Sequence, residues 1–187
     1  MSFISYNIKH VAIALGAVAM CFFASCDDKK DVEEAHVDRS KLPTMKALNV
    51  STLVSDSGIT RYRATTPVWL VYTKVASPYW SFPKGVRLEK FSTDLKTEAN
   101  IFCDKATYTT NQKLWQLDGN VRVTNIKGEK FKTDQLFWDQ QNGKVYSDKM
   151  IEIHQKDCII KGHGFESNES MTQYVIRHPE GIIPVSE

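Results

Sequence analysis

The hydrophobic positions between residues 101 and 167 form an internal repeat with a period near thirty residues. Positions at relative offsets 0, 2, 5 and 7 are mostly apolar in the first copy and recur in two further copies. The copies are Ile101-Cys103-Ala106-Tyr108, Phe131-Thr133-Leu136-Trp138 and the weaker Ile160-Gly162-Phe165-Ser167. A period of this length predicts a stacked or rolled repeat unit.

The spacing inside each copy predicts two strand segments joined by a bulge. Offsets 0 and 2 lie on one face of a strand, and so do offsets 5 and 7. The odd step from 2 to 5 would reverse the face, so one extra residue is needed to keep all four side chains inward. Between the copies, Trp115, Leu117, Val121 and Val123 keep a period of two, which favours a strand over a helix.

The sequence pattern in the rest of the predicted domain is also typical of strands. Turn clusters recur every 8 to 14 residues and separate about ten short strands, without a convincing helix. This pattern indicates an all-β sandwich, barrel or jelly roll. Pro67 is expected at a sheet edge or a strand start, because proline cannot donate a ladder hydrogen bond. The predicted strands outside the repeat include residues 59–66, 68–73, 86–91, 173–177 and 182–185.

The N-terminal segment predicts export and membrane attachment. Lys9 and His10 precede an apolar run that ends in small residues before Cys26, which is a secretory signature. A cysteine directly after these small residues resembles the lipobox of bacterial lipoproteins, so residues 1–25 are predicted to be a lipoprotein signal peptide, with Cys26 as the lipidation site. The alternative is an uncleaved transmembrane helix, since the 18 residues 8–25 are at the short limit for a span.

The segment after Cys26 predicts a tether followed by one domain. Residues 26–47 are rich in charge and poor in apolar side chains, a composition that stays solvated. The composition changes at Leu48, so we expect residues 48–187 to form a single domain. This length is sufficient to bury a large core without disulfides or bound metals.

Charge and motifs exclude several classes of function. The net charge is +2, with 24 basic and 22 acidic residues, which argues against a nucleic-acid-binding protein. The chain has no P-loop and no Gly-x-Ser-x-Gly motif, and no cofactor is predicted. His154 and His163 flank Asp157 and Cys158, but their spacing matches no zinc pattern, so no metal site is predicted either.

Two cysteines remain within the predicted domain. An oxidising compartment would permit a disulfide between Cys103 and Cys158. Both residues share a strand face with inward apolar neighbours, so the preferred interpretation is two buried thiols. The sequence does not fix the separation of their Cα atoms, which decides between the two.

Several motifs inside and outside the repeat resemble a known family. They are Ser55-Asp56-Ser57-Gly58-Ile59-Thr60-Arg61-Tyr62, Trp80-x-Phe82-Pro83-x-Gly85, Phe131-x-Thr133-Asp134-x-Leu136-x-Trp138-Asp139, Val145-Tyr146-Ser147-Asp148 and Gly162-x-Gly164-Phe165. Over residues 50–183 the chain resembles LptC, the periplasmic component of the lipopolysaccharide export ABC transporter. The repeat itself is shared with the related OstA-like domain of LptA and LptD. Many LptC proteins keep a transmembrane helix, whereas this chain carries Cys26.

The resemblance implies a single twisted open β-jelly roll of antiparallel strands. It also implies a non-enzymatic protein at the periplasmic face of the inner membrane of a Gram-negative bacterium. Such a protein receives lipopolysaccharide from an LptB2FG-type ABC transporter and passes it to an LptA-type periplasmic bridge. The transporter is expected at the N-terminal edge, near residues 59–73, and the bridge at the C-terminal edge, near residues 173–185.

An apolar groove is the candidate binding site for the acyl chains of lipid A. Exposing an acyl chain to water costs about 0.8 kcal/mol per methylene group, and inward apolar side chains could offset that loss. The predicted groove residues are Ile101, Tyr108, Trp115, Leu117, Val121, Val123, Phe131, Leu136, Trp138, Ile151 and Ile153.

Two other functions remain open from the sequence. One is a structural adaptor, a membrane-anchored protein with a sealed β-sandwich that binds partners through its edge strands. The other is an extracytoplasmic glycan hydrolase with a carboxylate pair, for which Asp134 and Asp148 are the only candidates. Both aspartates fit turn or outward strand positions better than a catalytic site.

Overall fold

The computed structural model describes residues 42–184, with the exception of the side chains of Asp56 and Ile183. This part of the chain contains eleven strands and no helix, which confirms the predicted all-β fold. The strands are β1 Met45–Asp56, β2 Ile59–Tyr72, β3 Tyr79–Phe82, β4 Val86–Phe91, β5 Thr97–Cys103, β6 Lys105–Thr109, β7 Leu114–Thr124, β8 Lys130–Asp139, β9 Lys144–His154, β10 Cys158–Asn168 and β11 Tyr174–Pro184.

The strands form one antiparallel sheet, in which most neighbours are also consecutive in the chain. β2 pairs with β4 along its first half and with β3 along its second half. β7 likewise pairs with β6 and then with β5, and β8, β9, β10 and β11 follow in sequence. Among the described strands, β1 pairs only with β2 and β11 only with β10, so these two strands are the free edges.

The strands bend near their middles, and the bends fold the sheet into a jelly roll. Register shifts occur after Asp118 in β7, after Thr133 in β8 and after His163 in β10. Gly119 and Gly164 adopt φ values of 74° at two of these bends, a conformation that favours glycine. The bulges predicted from the odd step are therefore confirmed in the second and third copies of the repeat. In the first copy this step separates β5 from β6, and the bend after Asp118 was not predicted.

The inward side chains of both halves of the sheet pack into one core. One end of this core is fully sealed by aromatic residues, because Phe131 and Phe165 are 1% and 0% exposed. Their ring centroids lie 5.7 Å apart, and Tyr174 contacts Phe131 edge-on at 5.4 Å. Such offset and edge-to-face contacts add to the stability gained from burial alone.

The prediction that Pro67 lies at a sheet edge or a strand start is wrong, because Pro67 lies inside the single strand β2. Its position falls between Thr65, the last described partner of β4, and Leu70, the first partner of β3. The missing N–H therefore coincides with a gap in the ladder. Asn49 of β1 lies opposite this site with φ 51°, so both strands change direction there.

The N-terminal edge of the sheet also differs from the prediction. β1 starts at Met45, three residues before the predicted domain boundary at Leu48, and it pairs with β2 along most of its length. The segment 59–73 is therefore an interior strand, and the expectation that it forms the edge is wrong. The apolar alternation in β1 is weak in the sequence, because the inward positions shift at Asn49 and several residues of the strand are polar.

The C-terminal edge is one strand, although a break at His178-Pro179-Glu180-Gly181 was predicted. β11 runs without interruption from Tyr174 to Pro184. A register shift between Lys161 and Gly162 of β10 accommodates the extra residue beside Pro179. Because β11 is an edge strand, the absent proline N–H does not interrupt pairing with another described strand.

Gly162 is the position where the β10–β11 pairing is most sensitive to an added methyl group. A Cβ there would lie 2.5 Å from the carbonyl oxygen of His178 and 2.6 Å from Cγ2 of Ile176. We expect Gly162→Ala to lower the free energy of unfolding by about 1–3 kcal/mol, because the backbone must shift. The control is Gly181→Ala, which has no atom within 4 Å and should change stability by less than about 0.5 kcal/mol. Thermal unfolding of both variants tests the difference, and equal melting temperatures would contradict it.

Candidate functional site

An open cavity lies between the inward faces of the two halves of the sheet, next to β1 and β2. Its free volume is about 160 Å³, and we call it the groove. No charged side chain is among its described lining residues. These are Val50, Thr52, Val54, Tyr62, Ala64, Thr66, Trp69, Trp80, Phe82, Leu88, Tyr108, Trp115, Trp138 and Gln140.

One wall of the groove is a row of aromatic side chains. Trp80 pairs across the sheet with Tyr108, Tyr108 with Trp115, and Trp115 with Trp138. The successive ring centroids are 5.0, 4.9 and 6.5 Å apart. Trp69 extends the wall, since its ring lies 5.0 Å from that of Trp80. All four tryptophans of the chain therefore line the same groove.

The opposite wall comes from β1 and β2 and contains no charged side chain. Val50, Thr52 and Val54 of β1 face the groove. The Thr66 hydroxyl donates to the carbonyl oxygen of Gly85 at 2.8 Å. Burial raises the pKa of Tyr108 above its ordinary value, so this phenol stays neutral at physiological pH. The groove thus offers an uncharged, mainly apolar surface.

A second and much smaller cavity lies beside the groove, and we call it the inner pocket. Its free volume is about 20 Å³. Tyr62, Leu88 and Trp138 line both cavities and therefore separate them. The other residues around the inner pocket are Lys90, Ala99, Ile101, Val123, Leu136, Val145, Glu169 and Met171.

Comparison with known proteins identifies the family. The model of the LptC family, described as lipopolysaccharide-assembly, LptC-related, matches residues 11–176 of the 187 in the chain. The chain belongs to the LptC family. LptC proteins take part in lipopolysaccharide transport in the Gram-negative envelope and are not known as enzymes. No curated protein matches the chain.

The structure divides the residues that the sequence assigned to an LptC-type groove into three sets. Tyr108, Trp115 and Trp138 line the groove. Ile101, Val123 and Leu136 line the inner pocket. The remaining five are at most 1% exposed and pack within the core; they are Leu117, Val121, Phe131, Ile151 and Ile153.

Sequence reasoning missed a large part of the groove lining in this LptC chain. Trp69 and Trp80 precede the repeat, and Val50 and Val54 lie on the unrecognised strand β1. The one available signal was the motif containing Trp80, which carried the LptC resemblance. Its position in the groove depends on pairing between β3 and β6, a long-range contact that periodicity does not reveal.

The two cysteines are free thiols, and the alternative disulfide is not formed in the structure. Cys103 is 0% exposed, and burial raises its pKa to about 12. Cys158 is half-buried, and its thiol donates a hydrogen bond to Oε1 of Gln155 at 3.2 Å. The preferred prediction of two buried thiols therefore holds fully for Cys103 and partly for Cys158.

The two thiols should differ in reactivity in the native protein. At pH 8 we expect iodoacetamide to modify Cys158 and to leave Cys103 unmodified until the protein unfolds, because the thiolate is the reactive form. Peptide mass spectrometry after timed alkylation measures each site separately. Equal modification of both sites in folded protein would contradict the assignment.

The histidine cluster and the carboxylates also have structural roles in this LptC chain. No group of residues within the described range could hold a metal ion. His154 pairs with Glu152, whose pKa is lowered to about 2 by hydrogen bonds from Lys161, His154 and Lys132. Asp148 is exposed and pairs with Arg177 at 2.5 Å.

The membrane attachment predicted for this LptC chain lies outside the described residues. The signal segment 1–25, Cys26 and most of the tether 26–47 precede residue 42, where the description begins. Within residues 42–184, no helix has the length and apolar character needed to span a membrane.

Proposed function

We propose that this chain carries the acyl chains of lipopolysaccharide in the groove during export. The groove supports this function because it is apolar, uncharged and open beside the β1 edge. Family membership supplies the class of cargo. No catalytic step is proposed, and neither a cofactor nor nucleic acid takes part.

The energetics of an acyl chain favour a shielded path. Exposing an acyl chain of about twelve carbons to water costs about 10 kcal/mol of free energy, at about 0.8 kcal/mol per methylene group. The row from Trp80 to Trp138 offers aromatic surface that can offset this loss. The groove holds no charged anchor for the chain, so binding can be weak enough for the lipid to be handed on.

The two free edges are the proposed docking surfaces. Open edge strands are normally protected against pairing with other chains, but here they can extend a sheet into a partner by β-augmentation. We assign the LptB2FG-type transporter to β1, where Leu48 and Leu53 are exposed. We assign the LptA-type bridge to β11, where Val175 and Ile182 are exposed.

The chain is proposed to act at the periplasmic face of the inner membrane. Lipidation of Cys26 would hold it there, and the charged tether would let the domain reach the transporter. Multiple acyl chains on one cysteine make such anchoring stable, whereas a single chain binds only marginally. An uncleaved helix within residues 1–25 would give the same location.

A sealed structural adaptor is the second candidate function. One observation favours it: five of the eleven predicted groove residues lie in the sealed core, where each is at most 1% exposed. An adaptor would use β1 and β11 for docking and would not take lipid into the groove. The two functions therefore differ in whether the groove contacts lipid.

Photo-crosslinking in cells distinguishes the two functions. A photoreactive residue at position 115 faces the groove, and the same residue at position 116 lies on the opposite face of β7. The transport function predicts lipopolysaccharide adducts from position 115 that require ATP hydrolysis by the exporter, with few from position 116. Folded, membrane-bound protein without adducts at position 115 would favour the adaptor.

A further inference from the structure

The groove and the inner pocket are separated by Leu88 and by two aromatic side chains from opposite halves of the roll. Tyr62 extends from β2 and Trp138 from the end of β8. Their ring centroids lie 5.4 Å apart, at an interplanar angle of 63°. Both residues line both cavities, so a chain passing from one to the other must displace this contact.

The inner pocket is apolar but closed. Ile101, Val123 and Leu136 line it, in a surface that would suit an acyl chain. Its free volume of about 20 Å³ is enough for about one water molecule and far too small for an acyl chain. In this conformation, lipid in the groove cannot enter the inner pocket.

A polar contact holds Trp138 in the closed position. The indole Nε1 donates a hydrogen bond to Oε1 of Glu169 at 2.9 Å. Glu169 belongs to the turn between β10 and β11, and this turn is itself fastened to the turn after β7. Nδ2 of Asn125 donates to the carbonyl oxygen of Met171 at 2.8 Å, and Nζ of Lys127 donates to that of Thr172 at 3.1 Å.

We propose that the Tyr62–Trp138 pair is a gate, held shut by Glu169, between the groove and the inner pocket. Acyl chains enter the inner pocket only when the Trp138 side chain turns away and the turn at Glu169 moves with it. This inference rests on the proposed function and adds a controlled step to it.

The test uses two crosslinking positions in the full chain, assembled with the exporter in vesicles that contain lipopolysaccharide. Position 80 reports lipid in the groove, and position 101 reports lipid in the inner pocket. The variants are Glu169→Ala and Trp138→Phe, each of which removes the hydrogen bond at Nε1. The matched control is Glu166→Ala. Glu166 is an exposed glutamate on β10, the strand that leads into the turn.

In the unmodified chain supplied with ATP, we expect adducts at position 80 and few at position 101. Glu169→Ala and Trp138→Phe should raise the ratio of inner to outer adducts by roughly two- to tenfold, the change that one hydrogen bond commonly makes to an equilibrium. Glu169→Gln retains a carbonyl acceptor and should behave like the unmodified chain, as should Glu166→Ala. Melting temperatures of all variants show whether a change in the ratio comes from unfolding.

Two results would overturn the gate. One is an equal adduct ratio in the unmodified chain and in both gate variants, with strong adducts at position 80. The other is labelling at position 101 that is as abundant as labelling at position 80 in the unmodified chain. Absence of adducts at position 80 is a different failure, because it would contradict the proposed transport function itself.

Discussion

Replacing Ala64 with tryptophan is expected to lower lipopolysaccharide capture by roughly tenfold while the fold remains intact. Ala64 lies on β2 and lines the groove, so an indole there would occupy space that an acyl chain needs. Excluding two methylene groups from the groove costs about 1.6 kcal/mol, at about 0.8 kcal/mol each. That energy corresponds to about a tenfold loss of affinity. The measurement is the yield of lipopolysaccharide crosslinked to position 115 in cells.

The matched control for this variant is Thr65→Trp. Thr65 is the next residue of β2 and is exposed on the outer face of the sheet, so an indole there leaves the groove open. We expect Thr65→Trp to keep normal crosslinking, and both variants to keep melting temperatures close to that of the unmodified chain. Equal crosslinking in the two variants, with both folded, would show that the groove does not hold the lipid.

Replacing Phe131 with alanine is expected to give the largest loss of stability of the substitutions considered. Phe131 is 1% exposed and contacts both Phe165 and Tyr174. Truncating a buried phenylalanine costs about 3–5 kcal/mol, through lost burial and the cavity left behind. Since domains of this kind are commonly stable by only about 5–15 kcal/mol, a substantial fraction of the stability should disappear. Chemical denaturation measures the change.

A second phenylalanine on the same strand provides the control. Phe137 is half-buried on the outer face of β8, where it stacks on Tyr146 at 5.2 Å. Phe137→Ala should cost clearly less than Phe131→Ala, because its ring is already partly in water. A similar loss in both variants would contradict the assignment of Phe131 to the sealed core.

The repeat allowed the all-β fold and its bends to be predicted from the sequence. Alternation indicates which side chains point inward, and the odd step before Ala106 or Leu136 requires a bulge. Alternation does not distinguish a groove wall from a sealed core. Trp115 and Phe131 both point inward, but Trp115 faces the groove while Phe131 meets packed aromatic rings. That difference depends on the opposite half of the roll.

The N-terminal edge could not be predicted for a related reason. β1 is an edge strand with polar residues among its inward positions, and its alternation reverses at Asn49. β1 is recognised as a strand by its pairing with β2. A period of two in the sequence reveals a strand only when the alternation is unbroken. Trp69 and Trp80 were visible as apolar residues, but only the pairing of distant strands places them on one wall with Tyr108.

The most direct measurement of the central claim uses the four tryptophans as reporters. Trp69, Trp80, Trp115 and Trp138 all line the groove and account for every tryptophan in the chain. Intrinsic fluorescence should therefore be strongly quenched when the chain is loaded with lipid A whose acyl chains carry bromine, compared with unbrominated lipid A. We expect strong quenching, and we expect Ala64→Trp to reduce it when the intensities are normalised to unloaded protein. Equal emission with both lipids, under conditions in which the lipid remains bound to the protein, would contradict it.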